Sequence, residues 1–404
     1  MSSSATKTTK VVSGMRTTGS LHLGHYHGVL KNWLKLQHEY DCFFFAADLH
    51  ALTTHYAERV DFEKNIMNMI IDWLAVGVNP NACTIFVQSE VPEHAELHLL
   101  LSMVTPLSWL ERVPTFKDQQ EKLKDKDLST YGFLGYPLLQ SADILLYKPK
   151  YVPVGEDQVT HIELTREVAR RFNHLFGKEE GFVEKAELAI SKMGKKNARL
   201  YRSLLKNYQE TGLTEALTQG LALVKEQSNL SMGDIKRLEG FLEGTGKVIL
   251  PEPEALLTPE SKMPGLDGQK MSKSYSNVIG LRESKESVEK KIFTMQTDPK
   301  RIRRDDPGTP EKCPVWELHK VYSNEDTKKW VQQGCTSAGI GCVDCKRAVC
   351  EKIIKEQEPI IAKGLELEAN PRMVKEVLRD GCARAREVAK ETLAEVSDAI
   401  GLIR

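Results

Sequence analysis

Short apolar runs alternate with stretches of helical periodicity through the first half of the chain. KVVSGM from Lys10 reads as a strand, and a Gly/Thr turn leads from it into a helix over about Leu21 to Gln37. DCFFFAADLH predicts the next strand and a loop that holds His50, and the pattern from Asn65 to Val76 predicts a helix. CTIFVQS supplies a third strand, and YVPVG a short later one ahead of a helix starting near Glu156. This alternation predicts a parallel sheet covered by helices, an α/β Rossmann-like nucleotide-binding domain. In such sheets ligands bind beyond the carboxyl ends of the strands.

From about Glu184 to Gly244 the pattern turns helical and charged, and Pro251 and Pro253 follow it. That stretch reads as an insertion between units of the sheet. Beyond Val288 no strong strand pattern remains, and helices are expected near Val315–Tyr322, Lys346–Glu356 and Pro371–Ile400. The expected organisation is a disordered tail over 1–9, a catalytic domain over 10–183, a helical insertion over 184–244, completion of the catalytic domain over 245–287 and an all-α domain over 288–404.

Composition narrows the classes. The chain has 404 residues, enough for two cores. Its longest apolar stretch, near MIIDWLAVGV, is broken by Asp72 and is too short to span a bilayer. The polar MSSSATKTT start lacks the features of a targeting segment, so a cytoplasmic protein with no membrane partner is expected. The formal net charge is zero, so contact with nucleic acid must come from local basic clusters. Three exist: Lys192, Lys195, Lys196, Arg199, Arg202 and Lys206; Lys300, Arg301, Arg303 and Arg304; and Arg372, Lys375, Arg379, Arg384 and Arg386. Each alone reads equally as a solvated helix face.

Two segments carry phosphate chemistry. GMRTTGSLHLGHYHG follows the first strand and opens a helix, whose free N–H groups suit an anion. Gly14 and Gly19 allow a tight turn there. His22 and His25 share a helix face, and Gly24 between them leaves room for a flat ligand. MPGLDGQKMSKSYSN, from Met263, is a Gly-, Ser- and Lys-rich loop expected to be mobile. Lys270 and Lys273, with the hydroxyls of Ser272 and Ser274, could close on a triphosphate and stabilise the charge of departing pyrophosphate.

His22-Leu23-Gly24-His25 and Lys270-Met271-Ser272-Lys273-Ser274, in this order, resemble the two signature motifs of the class I aminoacyl-tRNA synthetases. The resemblance implies that His22, His25, Lys270, Ser272 and Lys273 are catalytic. It places Arg16, Thr17, Thr18, Gly24, His25, Met263, Lys270, Met271, Ser272, Lys273 and Ser274 against ATP. Many tryptophan-specific members have Gln-Pro-Thr or Gln-Pro-Ser where this chain has Arg16-Thr17-Thr18. ATP with Mg2+, L-tryptophan and tRNA(Trp) are the implied ligands, a homodimer the implied assembly, and an anticodon-binding role the implied task of the all-α domain.

GYPLLQSADILLYKPKYVPVGEDQVTHIELTRE addresses the amino acid. Tyr136, Gln140, Asp143 and Tyr147 fall on one helical face, and Asp143 stands among apolar neighbours. An indole N–H only donates, so an ionised carboxylate suits it; equally, Asp143 could cap or pair with a basic neighbour. The segment is similar to the pocket of tryptophan-specific synthetases. That likeness gives the indole to Asp143, the amino-acid head group to Tyr136 and Gln158, the ring to Val152 and Val154, and ATP to Gly155, Glu156 and Asp157. His50 and Gln140 would border the pocket. A tyrosine-specific synthetase and a non-catalytic RNA-binding relative are the alternatives.

Of eight cysteines, Cys313, Cys335, Cys342 and Cys345 are separated by 21, 6 and 2 residues. Four thiolates suit tetrahedral zinc or an iron–sulfur cluster. Some bacterial tryptophan enzymes hold a 4Fe–4S cluster through nearly this spacing, so the resemblance favours the cluster, with Zn2+ or unliganded thiols as the alternatives.

Overall fold

The computed structural model describes residues 7–113, 129–178, 181–211, 214–257 and 263–403. Five strands, β1 (Lys10–Arg16), β2 (Asp41–Ala47), β3 (Cys83–Val87), β4 (Tyr151–Val154) and β5 (Glu254–Leu257), form one sheet in the order β3-β2-β1-β4-β5. Parallel registers run from Cys42 opposite Cys83 to Ala46 opposite Val87, and from Tyr151 opposite Glu254 to Val154 opposite Leu257. Val11 pairs with Tyr151 in the same sense. The unbroken apolar runs of β2 and β3 fit strands covered on both faces. This is the expected α/β Rossmann-like class, followed by a helical C-terminal region. β5 was not foreseen, because Pro251 and Pro253 give the segment before it the look of a linker.

The chain divides into two compact units, with β1 shared. The first contains Gly14–Gln88 and the residues after β5 up to Ala383. The second contains Thr9–Ser13, Ser89–Leu257 and the stretch from Arg384. In the first unit Trp33 stacks on Phe44 at 4.1 Å and meets Trp73 edge-on at 4.9 Å, all fully buried. This aromatic contact joins the helices Lys31–Glu39 and Phe62–Val76 to β2. Pro314–Tyr322, Cys342–Glu368 and Pro371–Ile400 are helices, close to where periodicity put them.

In the second unit the helices Glu93–Ser102 and Val159–Phe176 flank Tyr136–Leu145. Four further helices, Phe182–Lys192, Gly194–Thr211, Thr214–Lys225 and Met232–Leu242, close around a cluster of their own that includes Ile190, Tyr201, Val224 and Leu238. Asn173 receives the chain as it leaves them: its Oδ1 accepts from the amides of Ile249 (2.9 Å) and Leu250 (3.0 Å), and its Nδ2 donates to the Leu250 carbonyl.

The helix expected over Leu21–Gln37 is interrupted. A single turn, Leu23–His25, passes into a π-helical turn, Tyr26–Leu30, before the regular helix from Lys31. Such widened turns accompany functional positions.

Candidate active site

β1 delivers the chain to the first site, in the first unit. Gly14 lies inside the strand rather than in the turn: a Cβ there would sit 2.4 Å from the Phe45 ring. The left-handed turn residue is Gly19, with φ 96°. His22 precedes the single turn, donates its amide to His25 Nδ1 at 3.2 Å and stacks near that ring at 3.8 Å. Burial and then the Lys273 charge bring the His22 imidazole down to about 4. Burial, His22 and Lys273 take His25 to about 3. Both rings are therefore neutral near pH 7 and offer N–H donors without a permanent charge. Contrary to the expectation from sequence, the space above Gly24 is not open: a Cβ there would meet the His22 ring at 2.8 Å and Met271 at 3.4 Å.

The lysine loop is a hairpin pinned from inside. Pro264 bridges Lys270, and the Met271 amide donates to Met263 at 2.9 Å, both methionines being buried. Asn277 Oδ1 accepts from the Ser272 amide at 2.7 Å, while its Nδ2 donates to Asp267 (2.7 Å) and to the Lys270 carbonyl (3.2 Å). Sequence reasoning passed over Asn277, since its partners lie on both arms of the loop. The Ser274 side chain lies outside the described residues. Lys273 Nζ donates to the Thr18 carbonyl at 2.9 Å, bringing the second motif onto the turn of the first. Beyond the loop the backbone joins the histidine segment, with Leu23 N to Ile279 O at 3.0 Å and Leu281 N to Leu21 O at 2.9 Å. Asp72, the charge interrupting the apolar stretch, is buried and accepts from Arg282 Nε at 2.5 Å. Of the other nucleotide candidates, Arg16 donates to Thr54 Oγ1 at 2.5 Å, and the Thr17 hydroxyl is buried with no protein partner. His50 lies in the helix Asp48–His55, not a loop, and its amide faces Gln88 Oε1 at 3.4 Å.

The second site lies in the second unit. Asp143, 1 % exposed, takes His94 Nδ1–H at 2.6 Å, and His94 Nε2 faces the Tyr147 hydroxyl at 2.7 Å. Both sequence readings of Asp143 are thus compatible: a basic neighbour holds one oxygen and thereby orients the group. The single stripe is not realised, because the helix Tyr136–Leu145 ends before Tyr147. Asp143 and Tyr147 converge on His94, whereas Gln140 Oε1 meets His161 Nδ1 at 2.6 Å and the Tyr136 ring lies 5.6 Å from that of His161. Neither histidine was singled out from sequence, where nothing marks them as facing this helix. Val152 and Val154 pack with Ile144 and Ile162. Gly155 leads into the turn Glu156–Gln158, where Gln158 Nε2 donates to Asp157 Oδ2 at 3.1 Å.

The four spaced cysteines are drawn into one neighbourhood of the first unit. Cys313 precedes one helix, and Cys342 and Cys345 lie in the opening turns of another, where helix ends favour anions. Burial, followed by Cys313, Cys335 and Cys342, pushes the Cys345 thiol up to about 12. Arg301 lies 3.8 Å from Cys335 Sγ. Among the described residues no group of three or more His, Cys, Asp or Glu is gathered closely enough to hold a metal ion.

Ion pairs also reduce the basic clusters. Lys192 pairs with Asp234, Arg202 with Glu187 and Lys206 with Glu210, while Lys195, Lys196 and Arg199 stand exposed. Arg301 is buried, donating to the Arg304 and Ile340 carbonyls. Arg372 pairs with Glu376, Lys375 with Glu63, and Arg386 with Glu93. Among the described residues no helix is long and apolar enough to cross a membrane.

A Rossmann-like sheet whose first strand leads into a paired-histidine turn, with a lysine hairpin folded onto that turn, defines a nucleotide-using enzyme of the class I synthetase type. The chain belongs to the family described as tRNA synthetases class I (W and Y), which it matches over residues 4–199 and 229–356. It is 62 % identical to the tryptophan--tRNA ligase of Ralstonia nicotianae, covering 97 % of this chain and 98 % of that one, and 42 % identical to that of Thermotoga maritima, covering 98 % and 99 %. The tryptophanyl-tRNA synthetase of Campylobacter jejuni, crystallised with ADP and tryptophan, matches its structure with a TM-score of 0.71 at 27 % identity, over 97 % of this chain and all of that one.

Proposed function

We infer that this chain is a tryptophan–tRNA ligase working in two steps. An oxygen of the tryptophan carboxylate attacks the α-phosphorus of ATP. The bond to the β-phosphate breaks, and pyrophosphate leaves with Mg2+ as its counter-ion. The terminal ribose hydroxyl of tRNA(Trp) then attacks the acyl carbon and loses its proton, and AMP departs. A carboxylate is already nucleophilic, so positioning and charge stabilisation dominate. The observation that carries this reading is the Lys273 ammonium held at the Thr18 carbonyl, 2.9 Å away, on the turn that bears His22 and His25.

In this proposal His22 and His25 donate to phosphate oxygens as neutral imidazoles, and Lys270, Ser272 and Lys273 follow the charge onto pyrophosphate. Arg16, Thr17, Thr18, Gly24, Met263, Met271 and Ser274 complete the nucleotide contacts, with Gly155, Glu156 and Asp157. The orphaned Thr17 hydroxyl is suited to a ligand oxygen. Asp143 accepts the indole N–H, Tyr136 and Gln158 take the head group, and Gln140, His50, Val152 and Val154 border the ring. Cys313, Cys335, Cys342 and Cys345 would hold a 4Fe–4S cluster, which supplies cross-linking of the helical region rather than a step of the reaction. We assign 184–244 to an insertion, 288–404 to anticodon binding, and the enzyme to the cytoplasm as a homodimer.

Pyrophosphate exchange into ATP, run separately with tryptophan and tyrosine, tests the activity. Exchange with tryptophan alone is expected; equal exchange with tyrosine would reassign the pocket.

A further inference from the structure

The helix Cys342–Glu368 reaches the backbone after the lysine hairpin and the turn after the paired histidines through two consecutive side chains. Gln357 is 1 % exposed, and its Nε2 donates to the carbonyls of Gly280 (2.6 Å) and Leu281 (3.2 Å). Gly280 is the residue that bridges His22. Its neighbours Ile279 and Leu281 are hydrogen-bonded to Leu23 and Leu21. The same backbone stretch begins two residues after Asn277, the internal pin of the lysine hairpin. One position back on the helix, Glu356 takes His27 Nε2 at 2.9 Å, the Tyr322 hydroxyl at 2.9 Å and Lys31 Nζ at 2.8 Å. His27 lies two residues after His25, in the π-helical turn that interrupts the first helix.

We propose that Glu356 and Gln357 are positioning residues for adenylate formation, a clamp that sets the histidine turn and the lysine hairpin in register; this rests on the adenylating activity inferred above. Gln357 fixes the stretch that follows the hairpin, and Glu356 fixes the turn that follows the histidines. Because both project from adjacent positions of one long helix, a shift of either segment strains the same support. Neither residue touches a reacting atom. Their effect passes through His22, His25 and Lys273, where a displacement of about 1 Å costs on the order of 100-fold in rate. Gln357 also satisfies two buried carbonyls, which an apolar side chain would leave unpaired.

The test uses the full-length enzyme with Gln357→Leu, Glu356→Gln and Tyr322→Phe, measuring tryptophan-dependent pyrophosphate exchange, tryptophan binding without ATP, and the melting temperature. Gln357→Leu should lower the exchange kcat by about 10- to 100-fold with tryptophan affinity within about twofold of the parent. Glu356→Gln should raise KM for ATP and lower kcat several-fold, and Tyr322→Phe should do the same more weakly. Should Gln357→Leu fail to fold, Glu356→Gln and Tyr322→Phe decide the matter, since both preserve shape. Folded variants with parental kcat and KM for ATP would overturn the proposal, as would a loss of tryptophan affinity in step with kcat. A parent enzyme with no tryptophan-dependent exchange would instead refute the underlying activity.

Discussion

Asp143 is a buried carboxylate whose setting suits the recognition role proposed for it. Its carboxylate is buried, and His94 holds one oxygen at 2.6 Å, itself backed by Tyr147. A carboxylate fixed this way points its acceptor in one direction, which suits a lone N–H donor. Asp143→Ala should weaken tryptophan binding by about 10- to 100-fold, the worth of a hydrogen bond to a charged group. His94→Gln should weaken it less, and equilibrium dialysis reads both. The paired histidines His22 and His25 give a second prediction. Their folded values, about 4 and about 3, lie below the ordinary 6.5 of an unfolded histidine. As pH falls through 6.5 the unfolded chain takes up protons that the folded one refuses. Stability should therefore decline from about pH 6.5 toward pH 4, by up to about 1.4 kcal/mol per pH unit and histidine. His25→Asn should flatten that decline in thermal unfolding. His22, His25 and Lys270 to Lys273 were legible in the sequence because they are contiguous and chemically conspicuous. His94, His161 and Asn277 were not, because their importance lies in partners distant along the chain or across a turn.

At the level of elements, periodicity located the helices Pro314–Tyr322 and Pro371–Ile400 closely and only the middle of Cys342–Glu368. It missed β5, only four residues long and preceded by prolines. It also made one helix of what is a turn, a π-helical turn and a helix, because a widened turn leaves the apolar spacing almost unchanged. The cysteine pattern was conspicuous in the sequence, but among the described residues the fold gathers no three such side chains closely enough to hold a metal ion. Three of the four thiols lie at the starts of two helices, and burial, followed by the neighbouring thiols, pushes Cys345 up to about 12. Anaerobically purified protein should carry about four irons per chain and a broad visible absorption. Cys345→Ser should lose both and melt at a lower temperature. Stoichiometric zinc in colourless protein would point back to a single-ion site.

Across the whole molecule, 56 basic and 56 acidic residues cancel, so no long-range field draws in a polyanion. The basic runs that looked available in the sequence are thinned by ion pairs invisible to a linear reading, such as Arg202 with Glu187 and Arg372 with Glu376. On the helix Gly194–Thr211, Lys195, Lys196 and Arg199 are exposed outside the ion pairs of the described residues, while the exposed Arg202 and Lys206 are paired. If that helix follows a tRNA backbone, these three account for its contribution, and the paired residues add little. Affinity for tRNA should then fall with salt, with a slope set by the few phosphates neutralised. Replacing the three by glutamine should lower the slope by about two to three, at close to one per contact, while leaving pyrophosphate exchange unchanged, since that step needs no tRNA. Replacing Arg202 and Lys206 instead should alter the slope by less than about one. Filter binding across a salt series separates these outcomes. An unaltered slope in the triple variant would remove the insertion from the tRNA interface and leave recognition to the C-terminal helices.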